Sequence, residues 1–166
     1  MKKKTINKRY IPKHLSKKDK KKQYQMLNKS KKLYTKGKYY NRRNISSFKS
    51  KKSNHIQNAK KMYNINSIEP SKELSLKTGC SLQSLKKIVS KGQGAYFSSG
   101  SRPNQTAQSW GIARLASAIT GGKAGAVDYN ILLSGCKPKS KGRKMAEKSK
   151  KIYRYGKRKV AKNSVY

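Results

Sequence analysis

Positive charge most limits what this chain can fold into: 44 lysines and arginines stand against 5 aspartates and glutamates, a formal net charge of +39 over 166 residues. Self-repulsion on that scale opposes a compact state until an anion neutralises it, which points to a polyanion as partner before any small metabolite. The charge is unevenly placed. Residues 1–66 carry 23 basic side chains and 1 acidic, residues 67–136 carry 8 and 3, and residues 137–166 carry 13 and 1. With 33% hydrophobic residues and a mean hydropathy of −1.02, a core running the whole length is not expected. The organisation expected is a basic N-terminal arm over 1–66, a small helical core domain over 67–136 and a basic C-terminal tail over 137–166, with the arms largely extended or disordered.

Several classes are excluded as expectations. No run of 18 apolar residues occurs and MKKKTINKRY leads into more lysine, so neither a membrane span nor a secretory signal is expected. Cys80 and Cys136 have no CxxC neighbour and read as small buried apolar residues. His14 and His55 lie apart from any carboxylate. The acids Asp19, Glu69, Glu73, Asp128 and Glu147 form no spaced pair or metal-ligand cluster, and no serine triad is visible. Tyr96, Ser98, Arg102 and Arg114 are the residue types of a phosphate-handling group, but no general base or metal carboxylate accompanies them. No catalytic residue, metal, cofactor or small-molecule substrate is therefore expected. The excess of Lys over Arg, with many Asn, Ile and Tyr, also fits A/T-rich codon usage.

In the N-terminal arm the most helix-like stretch runs from Leu15 to Leu33, with Ser16 as N-cap, Asp19 at the third helical position and Tyr24, Leu27 and Tyr34 in an apolar row. Like charges four apart make it marginal alone. A shorter helix is expected over His55–Tyr63, with Ile56, Ala59 and Tyr63 on one face. Lys17, Lys18, Lys20, Lys21, Lys22, Arg42, Arg43, Lys49, Lys51 and Lys52 are candidate phosphate contacts. The rings of Tyr24, Tyr34, Tyr39, Tyr40, Phe48 and Tyr63 either stack on bases or anchor short helices. The tail begins with Pro138 and Gly142, which break structure, then reads as a basic helix over Lys144–Tyr153. It offers Arg143, Lys144, Lys157, Arg158 and Lys159 to the same partner, in runs that also look like nuclear-import signals.

The centre opens on SKELSLKTGCSLQSLKKIVSKG. Two short helices are expected on either side of Gly79, capped by Ser71 and Ser81, with Leu82, Leu85, Ile88 and Val89 inward. The spacing resembles a helix-turn-helix, in which Gln83, Ser84, Lys86 and Lys87 would face a duplex; the alternative is a helical hairpin with a solvated basic face. KGQGAYFSSGSRPNQT then reads as a Gly-rich turn between helices, with Arg102 available to a phosphate. Thr106 caps a helix through TAQSWGIARLASAIT that stops at Gly121 and Gly122. In it Gly111, Ala113, Ala116 and Ala118 allow close approach of a neighbour, and Trp110 is the expected apolar anchor. Arg114 is expected to pair with a carboxylate or carbonyls, or to reach phosphate. Lys123–Gly125 reads as a loop and Asp128 as the cap of a last helical turn over Tyr129–Leu133. The fold class is all-α, with three or four short helices in the centre.

The run from Lys77 to Leu132, with KGQGAYFSSGSRPNQT, Trp110 and Arg114 at its heart, resembles a domain of uncharacterised function found in tailed phages and nucleocytoplasmic large DNA viruses. The segment RYIPKHLSKKDKKKQ and the SFKSKKSNH run look like parts of small basic proteins of such viruses. The resemblance implies a shared centre of Gly92, Gly94, Tyr96, Arg102, Pro103, Trp110 and Arg114, either fold or site, and a place in the virion or in the host cytoplasm or nucleus. The expected function is a virion-associated protein binding double-stranded viral DNA non-specifically, for condensation or packaging. Two alternatives are a minor capsid or scaffold protein whose arms dock on acidic capsid subunits, and a sequence-specific regulator using the Gly79 turn.

Overall fold

A computed structural model describes residues 5–154 and 162–164. In chain order the elements are β1 (Thr5–Asn7), α1 (Lys17–Tyr34), α2 (Asn54–Tyr63), α3 (Lys72–Thr78), α4 (Leu82–Ser98), α5 (Ala107–Ile119), α6 (Lys123–Val127), α7 (Tyr129–Gly135), α8 (Lys141–Tyr153) and β2 (Lys162–Ser164). Among the described residues the fold is all-α apart from an antiparallel pairing of β1 with β2, in which Ile6 pairs with Asn163. Its contacts gather into two compact units. The first takes the chain as far as Lys51, Gly94–Ala107 and β2; the second takes Lys52–Gln93 and the chain from Gln108 through α8. These limits differ from the divisions expected at residues 66 and 136.

In the first unit, the arm expected to be extended is folded. Ser16 caps α1 by accepting from the Asp19 amide, and α1 turns Gln23, Met26, Leu27 and Ser30 inward. Leu27 and Met26 close on Ile11, Leu15 and Ile45, with Ile6, Tyr10, Tyr24, Tyr40 and Phe48 packed around them. Composition understates this core because polar groups complete it. The Gln23 amide donates to the Tyr10 carbonyl (3.1 Å) and the Ser30 hydroxyl to the Phe97 carbonyl (3.0 Å). Asn104, at φ +61°, clamps Ile45 on both sides: its Oδ1 accepts from the Ile45 amide and its Nδ2 donates to the Ile45 carbonyl. Tyr34 stacks on Phe97 and Tyr39 meets the same ring edge-on. Most of the aromatic rings of the arm are thus anchors, while Tyr39 remains 71% exposed.

The second unit is built on Leu74, Leu85, Ile88, Leu115, Ile119 and Leu132, all fully buried. α2 adds Ala59 and Tyr63, whose hydroxyl donates to the Ile119 carbonyl, and burial pushes the Tyr63 phenol above its ordinary range. Gly79 adopts φ +73° between α3 and α4, as a tight turn requires. α4, however, runs on through KGQGAYFS, so the Gly-rich turn expected from residue 91 starts only after Ser98, at Gly100 with φ +107°. Gly92 serves proximity instead. A Cβ there would lie 2.6 Å from the Gly111 Cα, and one at Gly111 would lie 2.7 Å from the Val89 carbonyl oxygen, so the two glycines let α4 and α5 cross backbone to backbone. Gly142 lies within α8 for the same reason: a Cβ would lie 3.0 Å from the Thr78 carbonyl oxygen. α8 begins at Lys141, capped by Ser140, and packs on α3, α6 and α7.

Three further expectations are corrected. Lys123–Gly125 is part of α6, not a loop. Trp110 is only half-buried, and among the described residues the largest fully buried side chain is Tyr96. Cys80 and Cys136 are buried as expected but are joined in a disulfide, flanked by hydrogen bonds from Ser81 to the Gly135 carbonyl and from Lys137 to the Gly79 carbonyl. A separation of 56 residues leaves no local motif; the fold brings the Gly79 turn beside the end of α7.

Candidate nucleic-acid interface

The first unit presents a continuous cationic helix face. With Asp19, Gln23, Met26, Leu27 and Ser30 turned inward, the 3.6-residue period leaves Lys17, Lys18, Lys21 and Lys22 exposed on the outer side of α1, and Lys20 half-buried. The same face continues through Lys29, Lys31 and Lys32, which sequence reasoning did not single out although KSKK at 29–32 is in phase with KKDKKK. Lys29 also lies over the Tyr40 ring at 4.6 Å, and the Lys22 ammonium donates to the Asn44 carbonyl (3.3 Å). Arg43, Lys49, Lys51 and Arg102 are exposed in this unit as well. Asp19, beside these lysines, is held chiefly by hydrogen bonds. Its carboxylate accepts from the Ser47 amide (3.0 Å), and hydrogen bonds from Ser47, assisted by Lys22, hold it below the usual carboxylate range.

Arg42 was expected on phosphate and is instead half-buried in the structure of the unit. Its guanidinium lies 3.8 Å from the centre of the Tyr96 ring. One nitrogen donates to the Ser30 hydroxyl and the Tyr96 carbonyl (3.0 and 2.7 Å), the other to the Ser101 hydroxyl (2.8 Å). The Arg42 amide donates to the Tyr96 hydroxyl. Burial lowers its pKa, opposed by the neighbouring tyrosines Tyr96, Tyr10 and Tyr40. A planar fork with fixed donors suits this role; a lysine would supply neither the stacking nor the paired bonds.

The second unit carries shorter cationic faces. On α4, Gln83, Lys86 and Lys87 are exposed, but Ser84 is buried, bonded to the Ser81 hydroxyl, and cannot face a duplex. The helix-turn-helix reading assigned Ser84 outward; the register of Leu85 and Ile88 places it on the packed side. On α8, Lys144 is exposed together with Lys148 and Lys151, two residues the sequence reasoning passed over. Arg143 is tied down, donating to the Leu133 carbonyl (3.0 Å) and to Glu147 (3.2 Å). Lys52 is exposed at the start of this unit. Lys157, Arg158 and Lys159 lie outside the described residues.

The centre suggested by the viral resemblance divides between the units. Tyr96, Arg102 and Pro103 belong to the first, where Tyr96 and Pro103 are fully buried. Trp110 and Arg114 belong to the second. Arg114 pairs with a carboxylate: its Nε and one terminal nitrogen hold the two oxygens of Asp128 at 2.7 and 2.8 Å, and Lys91 approaches at 3.4 Å. Asp128 is wholly buried and spends its carboxylate on these cations instead of capping α7. With Gly92 at a helix crossing, Tyr96 holding Arg42 and Arg114 neutralised, these residues act on the fold, and of the centre's four cationic or aromatic groups, Tyr96, Arg102, Trp110 and Arg114, Arg102 alone is exposed.

Fold and surface thus define an all-α protein whose outer helix faces are lined with lysine. The chain belongs to a family of unknown function, DUF5824, whose model matches residues 7–134. The matched span begins before α1, consistent with α1 being part of a folded unit. No curated protein and no solved structure matches the chain.

Proposed function

We propose that this protein is a virion-associated basic protein that binds double-stranded viral DNA without sequence preference, for condensation or packaging of the genome. The observation that carries the reading is the outer face of α1, where Lys17, Lys18, Lys21, Lys22 and Lys29 stand exposed on a helix whose opposite side is packed into the core of the unit. Lysine is a point charge suited to phosphate oxygens, whereas base reading favours the bidentate arginine fork. Among the arginines, Arg42, Arg114 and Arg143 are already engaged by protein groups. Lys86, Lys87, Lys144 and Lys148 then extend phosphate contact to the second unit, with Gln83 alongside them and not as a base reader. The viral setting rests on the resemblance of the KGQGAYFSSGSRPNQT run to domains of tailed phages and large DNA viruses.

The test is competition between unrelated duplexes of equal length for the full chain. The reading expects affinities within a few-fold of one another; a preference of about 10³ or more for one sequence would mark a regulator and overturn it.

A further inference from the structure

The first unit contains an open cleft of about 860 Å³, lined among others by Tyr10, Leu27, Asn28, Lys31, Lys32 and Thr35. A volume of this order suits a ligand of nucleotide size. Its walls differ in chemistry. Leu27 and the Tyr10 ring supply an apolar side, and both pack onto Gly100, where a Cβ would lie 2.8 Å from Leu27 and 3.1 Å from the Tyr10 ring. Gly100, at φ +107°, thereby lets the Tyr10 ring lie close against the backbone. Opposite in character are Asn28, Lys31, Lys32 and the C-cap Thr35, which lie at i, i+3, i+4 and i+7 and so share one stripe at the end of α1. Asn28 brings an amide with both donor and acceptor, and Lys31 and Lys32 bring two exposed ammonium groups. Arg9 and Arg42 add positive potential near the Tyr10 hydroxyl.

A flat apolar wall, a two-way hydrogen-bonding amide and paired cations are complementary to a nucleotide whose base is free. A base stacked and paired in a duplex cannot enter a cleft; an unpaired one can leave its stack and present its edge. We propose that this cleft takes an unpaired nucleotide, with the base against Tyr10 and Leu27, its edge on Asn28, and the phosphate on Lys31 and Lys32. The inference rests on the reading of the chain as a nucleic-acid binder and adds to it a place for single-stranded segments or a free nucleotide.

The experiment uses the full chain and fluorescence anisotropy with a labelled 20-nucleotide oligothymidylate, a labelled blunt 20-base-pair duplex, and thymidine monophosphate as competitor. Thr35→Trp and Asn28→Trp obstruct the cleft without changing charge, and far-UV circular dichroism confirms that each variant keeps its helices. Lys49→Ala combined with Lys51→Ala removes charge from residues that do not line the cleft. The expected result is a roughly tenfold loss of oligothymidylate affinity in each tryptophan variant, the size of one lost base stack, with duplex affinity within twofold of the unaltered chain. The double lysine variant weakens both ligands alike. Displacement by the monophosphate assigns the site to nucleotides in general; failure to displace, with the tryptophan effect intact, assigns it to unpaired strand. Tryptophan variants that bind oligothymidylate as tightly as the unaltered chain overturn the cleft while leaving duplex binding standing. An unaltered chain that binds neither nucleic acid overturns both readings.

Discussion

Opening the Cys80–Cys136 disulfide should cost the second unit a large share of its stability. The bridge spans 56 residues, so breaking it returns to the unfolded chain the freedom of a loop of that length. The loop-closure relation gives about 4 kcal/mol at 25 °C for such a ring. A domain's whole stability is about 5–15 kcal/mol, so the loss is not a minor correction. For a unit of this size it corresponds to a fall in Tm on the order of 20 °C. The sulfurs link the Gly79 turn to the end of α7, and α8 lies across the same place, with Gly142 against Cys80 and Thr78. Release should therefore loosen α8 as well. The perturbation is Cys80→Ala with Cys136→Ala, compared with dithiothreitol treatment of the unaltered chain, and the assay is thermal unfolding followed at 222 nm. Both treatments should lower the unfolding of this unit by similar amounts. A fall of less than about 5 °C in both would show that the bridge does not constrain the unfolded ensemble, and would refute the reasoning.

Arg114→Ala should destabilise by about 3–5 kcal/mol, because it strips the bidentate partner from a carboxylate that is 0% exposed. Adding Asp128→Ala should recover part of that loss in urea unfolding, and a double variant less stable than either single one would contradict it. Acid should weaken the first unit through Asp19. Its folded pKa is depressed by hydrogen bonds from Ser47, so its contribution is present above the ordinary carboxylate range and is lost as pH falls from about 4 through the folded value. Asp19→Asn should flatten that part of the stability profile, and an unchanged acid limb would refute the assignment.

Much of the helical scaffold was legible because it obeys local rules. Ser16 and Ser71 each cap the helix that follows, and Ile56, Ala59 and Tyr63 recur at helical spacing; Ser53 and Ser140 obey the same capping rule but were not singled out. Gly79 and Gly121 take the positive φ that a helix stop asks for. What could not be read depends on partners distant in sequence. Gly92 looks the same whether it makes a turn or a helix crossing, and only Gly111, 19 residues on, decides between them. The folding of the N-terminal segment hinges on Arg42 meeting Ser30, Tyr96 and Ser101, and on Asn104 meeting Ile45. In an arm so rich in lysine, an arginine used for structure gives no sign of it. For the surface the position is reversed. The lysines at 17–22 stood out as a charge run, and the structure shows most of them exposed on α1; Lys29, Lys31 and Lys32 lay within the helix expected over Leu15–Leu33 and were passed over because their run is shorter. Ser84 was misassigned because a short polar residue beside an apolar one fits either face; its hydrogen bond to Ser81 places it inside.

The central claim is that exposed lysines bind DNA phosphate, and the slope of log affinity against log salt for the full chain on one duplex tests it most directly. Each neutralised phosphate contributes about 0.9 to that slope, so 6–10 contacts imply a loss of roughly 10³ to 10⁵ in affinity between 50 and 200 mM salt. Replacing Lys17, Lys18, Lys21 and Lys22 by Gln should flatten the slope by about 3 to 4. A shallow slope with weak binding at physiological salt, or a slope the four substitutions leave unchanged, would contradict the account and direct the charge of this chain to an acidic protein surface.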